Sequence, residues 1–151
     1  MKKLQLTHPN IHLILLGKGC DEQNYKEQSK DLTNITFEGF VSNVGDYIQC
    51  FDIFVFPSLH EGLGSILFDI MQSNIPIIAT NTGGIPDIIT NDKNGILVPI
   101  KDNDAIYNAI VKLYKDKKLR ERLANEALKD IDNYSFETMT NKYETIYKEI
   151  I

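Results

Sequence analysis

Four short apolar runs limit what this chain can fold into more than any other feature: IHLILL (11–16), IFVF (53–56), IPIIA (75–79) and ILV (96–98), with a weaker one, ITF (35–37), between the first two. Each is nearly continuous rather than alternating, and each is short, which is the pattern of strands covered on both faces in a parallel sheet. The segments between them read differently. Residues 21–30 are polar enough for a solvent-facing helix, while 44–51 place Val44, Tyr47, Ile48 and Phe51 at helical spacing. Ile66, Leu67, Ile70 and Met71 do the same within 65–73. Strand and helix therefore alternate, which predicts an α/β fold: a Rossmann-like, doubly wound parallel sheet of about five strands.

After Val98 the pattern becomes helical, over 102–115, 117–130 and 135–150. Asp102 and Ser135 stand where N-caps are wanted, and Thr138 three residues after Ser135 makes a cap without a full capping box. These additional C-terminal helices are expected to cover one side and one end of the sheet. A length of 151 residues suits one domain of ordinary size, so 1–151 is read as a single domain. At the other end, Met1-Lys-Lys-Leu-Gln-Leu resembles the tail of a helix stopped by Pro9 and Asn10. A tail without its body suggests that something upstream is missing.

Composition narrows the function classes. With 42% hydrophobic and 25% charged residues the chain has the balance of a folded globular protein. Its net charge of −5, without a basic face, argues against nucleic acid as a partner. A small anion is still compatible, because a few backbone N–H groups hold a phosphate whatever the total charge. Cys20 and Cys50 lack C-x-x-C spacing and no secretory leader precedes them, which points to a reducing, cytoplasmic location. No apolar stretch approaches the ~20 residues that span a bilayer; peripheral association with the inner face of a membrane stays open.

Glycine-bearing turns follow the apolar runs: Gly17-Lys-Gly19, Gly39-Phe40-Val41, Glu61-Gly62-Leu63-Gly64 and Gly83-Gly84. In an open parallel sheet, ligands bind beyond the carboxyl ends of the strands, where such turns lie. Taken singly, a glycine after a strand is mostly turn chemistry. Neither a dinucleotide fingerprint nor a P-loop is present. The segment EGLGSILFD (61–69) says most. Gly62 and Gly64 let the backbone approach a ligand, and the N–H groups of Ser65 and Ile66 open a helix start that favours phosphate. Ile66, Leu67, Ile70 and Met71 take the buried stripe, leaving Asp69 off the core. Glu61 and Asp69 have no His-paired nucleophile beside them, so they read as acceptors for hydroxyls, as carboxylates that bind sugar or ribose are. His60 reads as a surface residue more readily than as a ligand contact, and His8 and His12 have no partner at metal-ligand spacing. Pro86 and Asp87 suit the first turn of a helix.

Together the block Pro57-Ser58-Leu-His-Glu61-Gly62-Leu63-Gly64, then Asp69, Pro76, Ala79-Thr80, Gly83-Gly84-Ile-Pro86-Asp87 and Asn94-Gly95-Ile-Leu-Val resembles the C-terminal, donor-binding domain of retaining GT-B-fold glycosyltransferases, the glycosyl transferases group 1 family. The match runs from about Ile11 to the end. It implies one half of a GT-B fold and a hexosyltransferase-type activity. A sugar would move, with retention, from a nucleotide-diphosphate sugar to a glycan or lipid-linked acceptor in polysaccharide or glycolipid synthesis. Neither metal nor cofactor is implied. Glu61 would be the catalytic residue that contacts the donor sugar, and Asp69 would hold the ribose. Gly62, Leu63, Gly64, Ser65 and Ile66 would bind the sugar and diphosphate, with Gly17 beside them, and Gly39, Phe40 and Val41 would line the base.

Two departures qualify this. The family's second acid is Glu; Asp69 is shorter by one methylene, roughly 1.5 Å of reach, so the ribose contact is expected to be weaker, water-mediated or absent. The family also has a preceding strand and helix carrying an Arg and a Lys, and before them an N-terminal acceptor domain. The expectation is a fragment or truncated product without turnover of its own. The alternatives are a non-catalytic donor-binding subunit that pairs with a separate acceptor-domain chain, and a degenerate remnant.

Overall fold

The structure, a computed structural model, describes residues 1–150. It divides into two compact units, 1–46 and from Tyr47 onward. In the first, α1 (Lys2–Thr7) is followed by β1 (Leu13–Leu16), α2 (Glu22–Gln28) and β2 (Ile35–Gly39). The two strands run parallel, Leu13 opposite Ile35, and the register slips at Leu15/Leu16 so that Leu16 meets Gly39. Polar side chains tie the strand entrances. Asn34 is buried and donates through Nδ2 to the Ile11 carbonyl at 2.8 Å, and the Gln5 side chain accepts from the Thr33 amide at 3.2 Å. Leu4 is the buried apolar residue of this unit.

α3 (Val44–Ile48) spans the boundary between the units. In the second unit β3 (Phe54–Phe56), α4 (Ile66–Gln72), β4 (Ile77–Thr80), α5 (Ile85–Ile88) and β5 (Ile96–Val98) precede α6 (Asn103–Lys115), α7 (Lys117–Asp130), a 3₁₀ turn (Ile131–Tyr134) and α8 (Phe136–Ile150). The strands pair in parallel in the order β3-β4-β5. All four residues of β4, the central strand, are buried, as a strand covered on both faces requires. On one face Ile78, Ile96 and Val98 pack with Ala109, Leu113 and Leu123 of α6 and α7. Elsewhere Leu67, Ile70 and Met71 of α4 are fully buried, the stripe its spacing predicts.

The five strands are thus present and parallel, with the hydrogen-bonded ladder in two pieces, β1-β2 and β3-β4-β5. The helix ends follow local chemistry. Asp102 caps α6 through the Ala105 amide at 2.8 Å and Asp116 caps α7 through that of Leu119 at 2.9 Å. Ser135 Oγ accepts from the Thr138 amide at 3.1 Å. Asn94 is buried and bridges the α5–β5 loop to α7, accepting from the Thr90 amide and donating to the Ile88 carbonyl and to Asp130.

Candidate functional site

The loop from Phe56 to α4 is built around the Glu61 carboxylate. One of its oxygens accepts from the Gly62 amide at 3.1 Å, and the other lies 3.5 Å from the Ser58 hydroxyl. Behind the loop runs the segment that leaves β4. Thr80 Oγ1 donates to the Ser58 carbonyl at 2.6 Å, Thr82 Oγ1 to that of Leu59 at 3.2 Å, and the Gly84 amide to that of Gly62 at 2.9 Å. The approach is so close that a Cβ on Gly83 would stand 1.8 Å from the Glu61 carbonyl oxygen, and one on Gly84 2.3 Å from that of Gly62. Gly83 also has φ +54°, a left-handed conformation that suits glycine.

Gly64 is buried at φ +70°, and an added Cβ would press at 3.3 Å on Leu67 and Phe56. Gly62 is exposed with open space around it. The carbonyls of Gly64 and Ser65 accept the first helical amides, those of Leu67 and Phe68. The amides of Leu63, Gly64, Ser65 and Ile66 have no acceptor among the described residues, and the Ser65 side chain does not cap α4. One turn on, Asp69 is exposed while its neighbour Ile70 is buried. An acid thus stands on each side of a group of open backbone donors. Such an arrangement can hold anionic oxygens on the amides and hydroxyls on the carboxylates.

In the first unit, the Gly17 amide donates to the Gly39 carbonyl at 2.6 Å, which joins the carboxyl ends of β1 and β2. Gly17 has φ +108° and Gly39 +70°. An added Cβ would meet nothing at Gly17, so backbone conformation rather than crowding selects glycine there. Phe40, beside them, is 73% exposed. Gly17, Gly39, Phe40 and Val41 therefore lie together in one unit, and Glu61 to Ile66 with Asp69 in the other. His60 is exposed.

Sequence reasoning singled out neither Thr82 nor the role of Thr80. The available signal was two threonines at a spacing of two directly after an apolar run, which places them on one side of a strand end. A cavity of about 160 Å³, lined by Asp52, Asn74, Pro76, Arg120, Glu121, Ala124 and Asn125, lies where the chain enters β3 and β4, at the other end of these two strands from Glu61 and Gly83. Among the described residues no helix is long and apolar enough to cross a membrane. Nor does any cluster of three His, Cys, Asp or Glu side chains among them suit a metal ion.

A family model described as glycosyl transferases group 1 matches residues 1–130. Curated relatives include N-acetyl-alpha-D-glucosaminyl L-malate synthase of Bacillus anthracis, 26% identical over 97% of this chain and 39% of that protein. Another is the lipopolysaccharide core biosynthesis glycosyltransferase LpsE of Rhizobium meliloti, 28% identical over 89% and 41%. The chain thus spans about two fifths of the length of these relatives. Among solved structures, the C-terminal domain of the glycosyl transferase group 1 family protein LpcC from Francisella tularensis superposes with a TM-score of 0.79 at 27% identity, covering 89% of this chain and 75% of that one. Anabaena HepE, solved in complex with UDP-glucose, superposes with a TM-score of 0.80 at 20% identity, covering 93% and 42%.

Proposed function

Because this chain belongs to the glycosyl transferases group 1 family, we propose that it is the donor-binding part of a retaining glycosyltransferase that uses a nucleotide-diphosphate sugar. The observation that carries this reading is the run of open amides at Leu63, Gly64, Ser65 and Ile66, flanked by Glu61 and Asp69. The amides donate to diphosphate oxygens. Glu61, held by Ser58 and by its own loop, accepts from hydroxyls of the transferred sugar; Asp69 accepts from the ribose. UDP and UDP-glucose are natural probes, since HepE was solved with each.

Transfer itself requires an acceptor held beside the donor, and orientation of this kind can be worth ~7–11 kcal/mol of barrier. The acceptor, a glycan or lipid-linked sugar, is assigned to a further domain of the kind the longer relatives have room for, so this chain by itself binds without turnover. An amide NMR titration with UDP, GDP and ADP tests the reading. Shifts at Leu63, Gly64, Ser65 and Ile66 with at least one nucleotide are expected, and UDP-glucose, which carries the sugar, is expected to bind roughly tenfold more weakly to Glu61→Ala, the loss expected of a charge-assisted hydrogen bond. Silence at those amides with all three nucleotides overturns the donor assignment, and sugar transfer by the isolated chain overturns the lack of turnover.

A further inference from the structure

The hydrogen bonds behind the Glu61 loop fix more than its position. All three go to carbonyl oxygens, those of Ser58, Leu59 and Gly62. A trans peptide is planar, and its C=O and the next residue's N–H point in opposite directions. Turning the Ser58, Leu59 and Gly62 carbonyls toward the β4–α5 segment therefore turns the N–H groups of Leu59, His60 and Leu63 away from it. None of these amides has an acceptor among the described residues, and Leu59 and Leu63 are 45% and 57% exposed.

We propose that Thr80 and Thr82 are positioning residues. With the Gly84 amide they lock three peptide planes so that the N–H groups of Leu59 and His60 join those of 63–66 as donors to the anionic oxygens of a nucleoside diphosphate. This rests on the donor-binding reading and extends its set of donors backward along the loop. The two hydroxyls differ in setting. Thr80 is buried and its Oγ1 also lies 3.4 Å from the Phe56 carbonyl. Thr82 is half-buried with the Leu59 carbonyl as its acceptor, so it controls a single plane, the one that carries the His60 amide.

Thr82→Val keeps the shape and removes the hydroxyl, while Thr82→Ser restores it. The first readout is the NMR shift of the Leu59 carbonyl carbon and the order of the His60 amide from nitrogen-15 relaxation, both relative to β4. In Thr82→Val the Leu59 carbonyl carbon is expected to shift and the His60 amide to lose order, because the plane they share has lost its hydrogen bond, with β4 unmoved and Thr82→Ser back at the wild-type values. In the second readout, UDP shifts the Leu59 and His60 amides of the wild type, and its affinity falls about threefold to tenfold in Thr82→Val but not in Thr82→Ser. An unchanged Leu59 carbonyl shift and His60 order in Thr82→Val overturn the lock, since a hydroxyl that only fills space would give that result. UDP shifts confined to 63–66 overturn the role of Leu59 and His60 as donors. If no nucleotide binds the wild type, the donor-binding reading and the ligand role fall together, and the lock stands or falls on the Leu59 shift and His60 order alone.

Discussion

Gly83 and Gly17 are glycines for different reasons, and substitution separates them. Gly17→Ala meets open space and suffers only from its positive φ, an expected loss of roughly 1–2 kcal/mol in urea unfolding. Gly83→Ala adds to a positive φ a Cβ 1.8 Å from the Glu61 carbonyl oxygen, for an expected loss of roughly 2–4 kcal/mol together with displaced amide shifts over 58–64. Asp69 is tested in the opposite direction: Asp69→Glu adds one methylene of reach and is expected to tighten UDP binding, measured by calorimetry, if the ribose grip is the short one. Tyr134 packs tilted against Phe68, with ring centroids 5.1 Å apart and planes at 41°, and donates to the Asp87 carbonyl at 2.8 Å. Burial, with the nearby carboxylates Asp130 and Asp87, raises its phenol above the ordinary value of 10.0. A raised folded-state value means that this contribution is fully present below pH 10 and is lost as pH rises through the folded value. Thermal unfolding from pH 9 to 11.5 should therefore show a steeper alkaline loss for wild type than for Tyr134→Phe.

Helices divide into those that carry buried residues and those, α2 and α8, that carry none. Asp102→Ala removes the cap of α6, which carries the buried Ala109 and Leu113, and is expected to cost about 1 kcal/mol in chemical denaturation. α8 buries none of its residues; its stripe of Phe136, Met139, Tyr143, Ile146, Tyr147 and Ile150 is 46–79% exposed. Ile146→Glu should accordingly change stability by less than ~0.5 kcal/mol. The same contrast explains what could be read from the sequence. Apolar runs located all five strands, because burial on both faces is written into consecutive residues, and helical spacing located α4 and α6 to α8 in the same way. Asp69 was placed off the core by its position against Leu67, Ile70 and Met71. The break of the ladder into two pieces was not legible, because periodicity reports which faces are covered and says nothing about which strands share hydrogen bonds. The bonds from Thr80 and Thr82 to Ser58 and Leu59 were hidden for a related reason: they join residues 22 and 23 apart through backbone acceptors that every residue carries.

Across the whole molecule, burial is unevenly shared. Of the buried apolar residues, Leu4 lies in 1–46 and all others lie beyond residue 46. Native-state hydrogen exchange should therefore protect β4 and α4 most and β1 and β2 less, since opening energies follow buried apolar contacts; equal protection of β1 and β4 would contradict this distribution. The close fit of Gly83 and Gly84 against the carbonyls of Glu61 and Gly62 has a consequence for chimeras. Segments 57–65 and 80–84 form a single unit of exchange. A graft that brings any side chain to position 83 or 84 drives it into the carbonyl of Glu61 or Gly62, where this protein has only room for hydrogen.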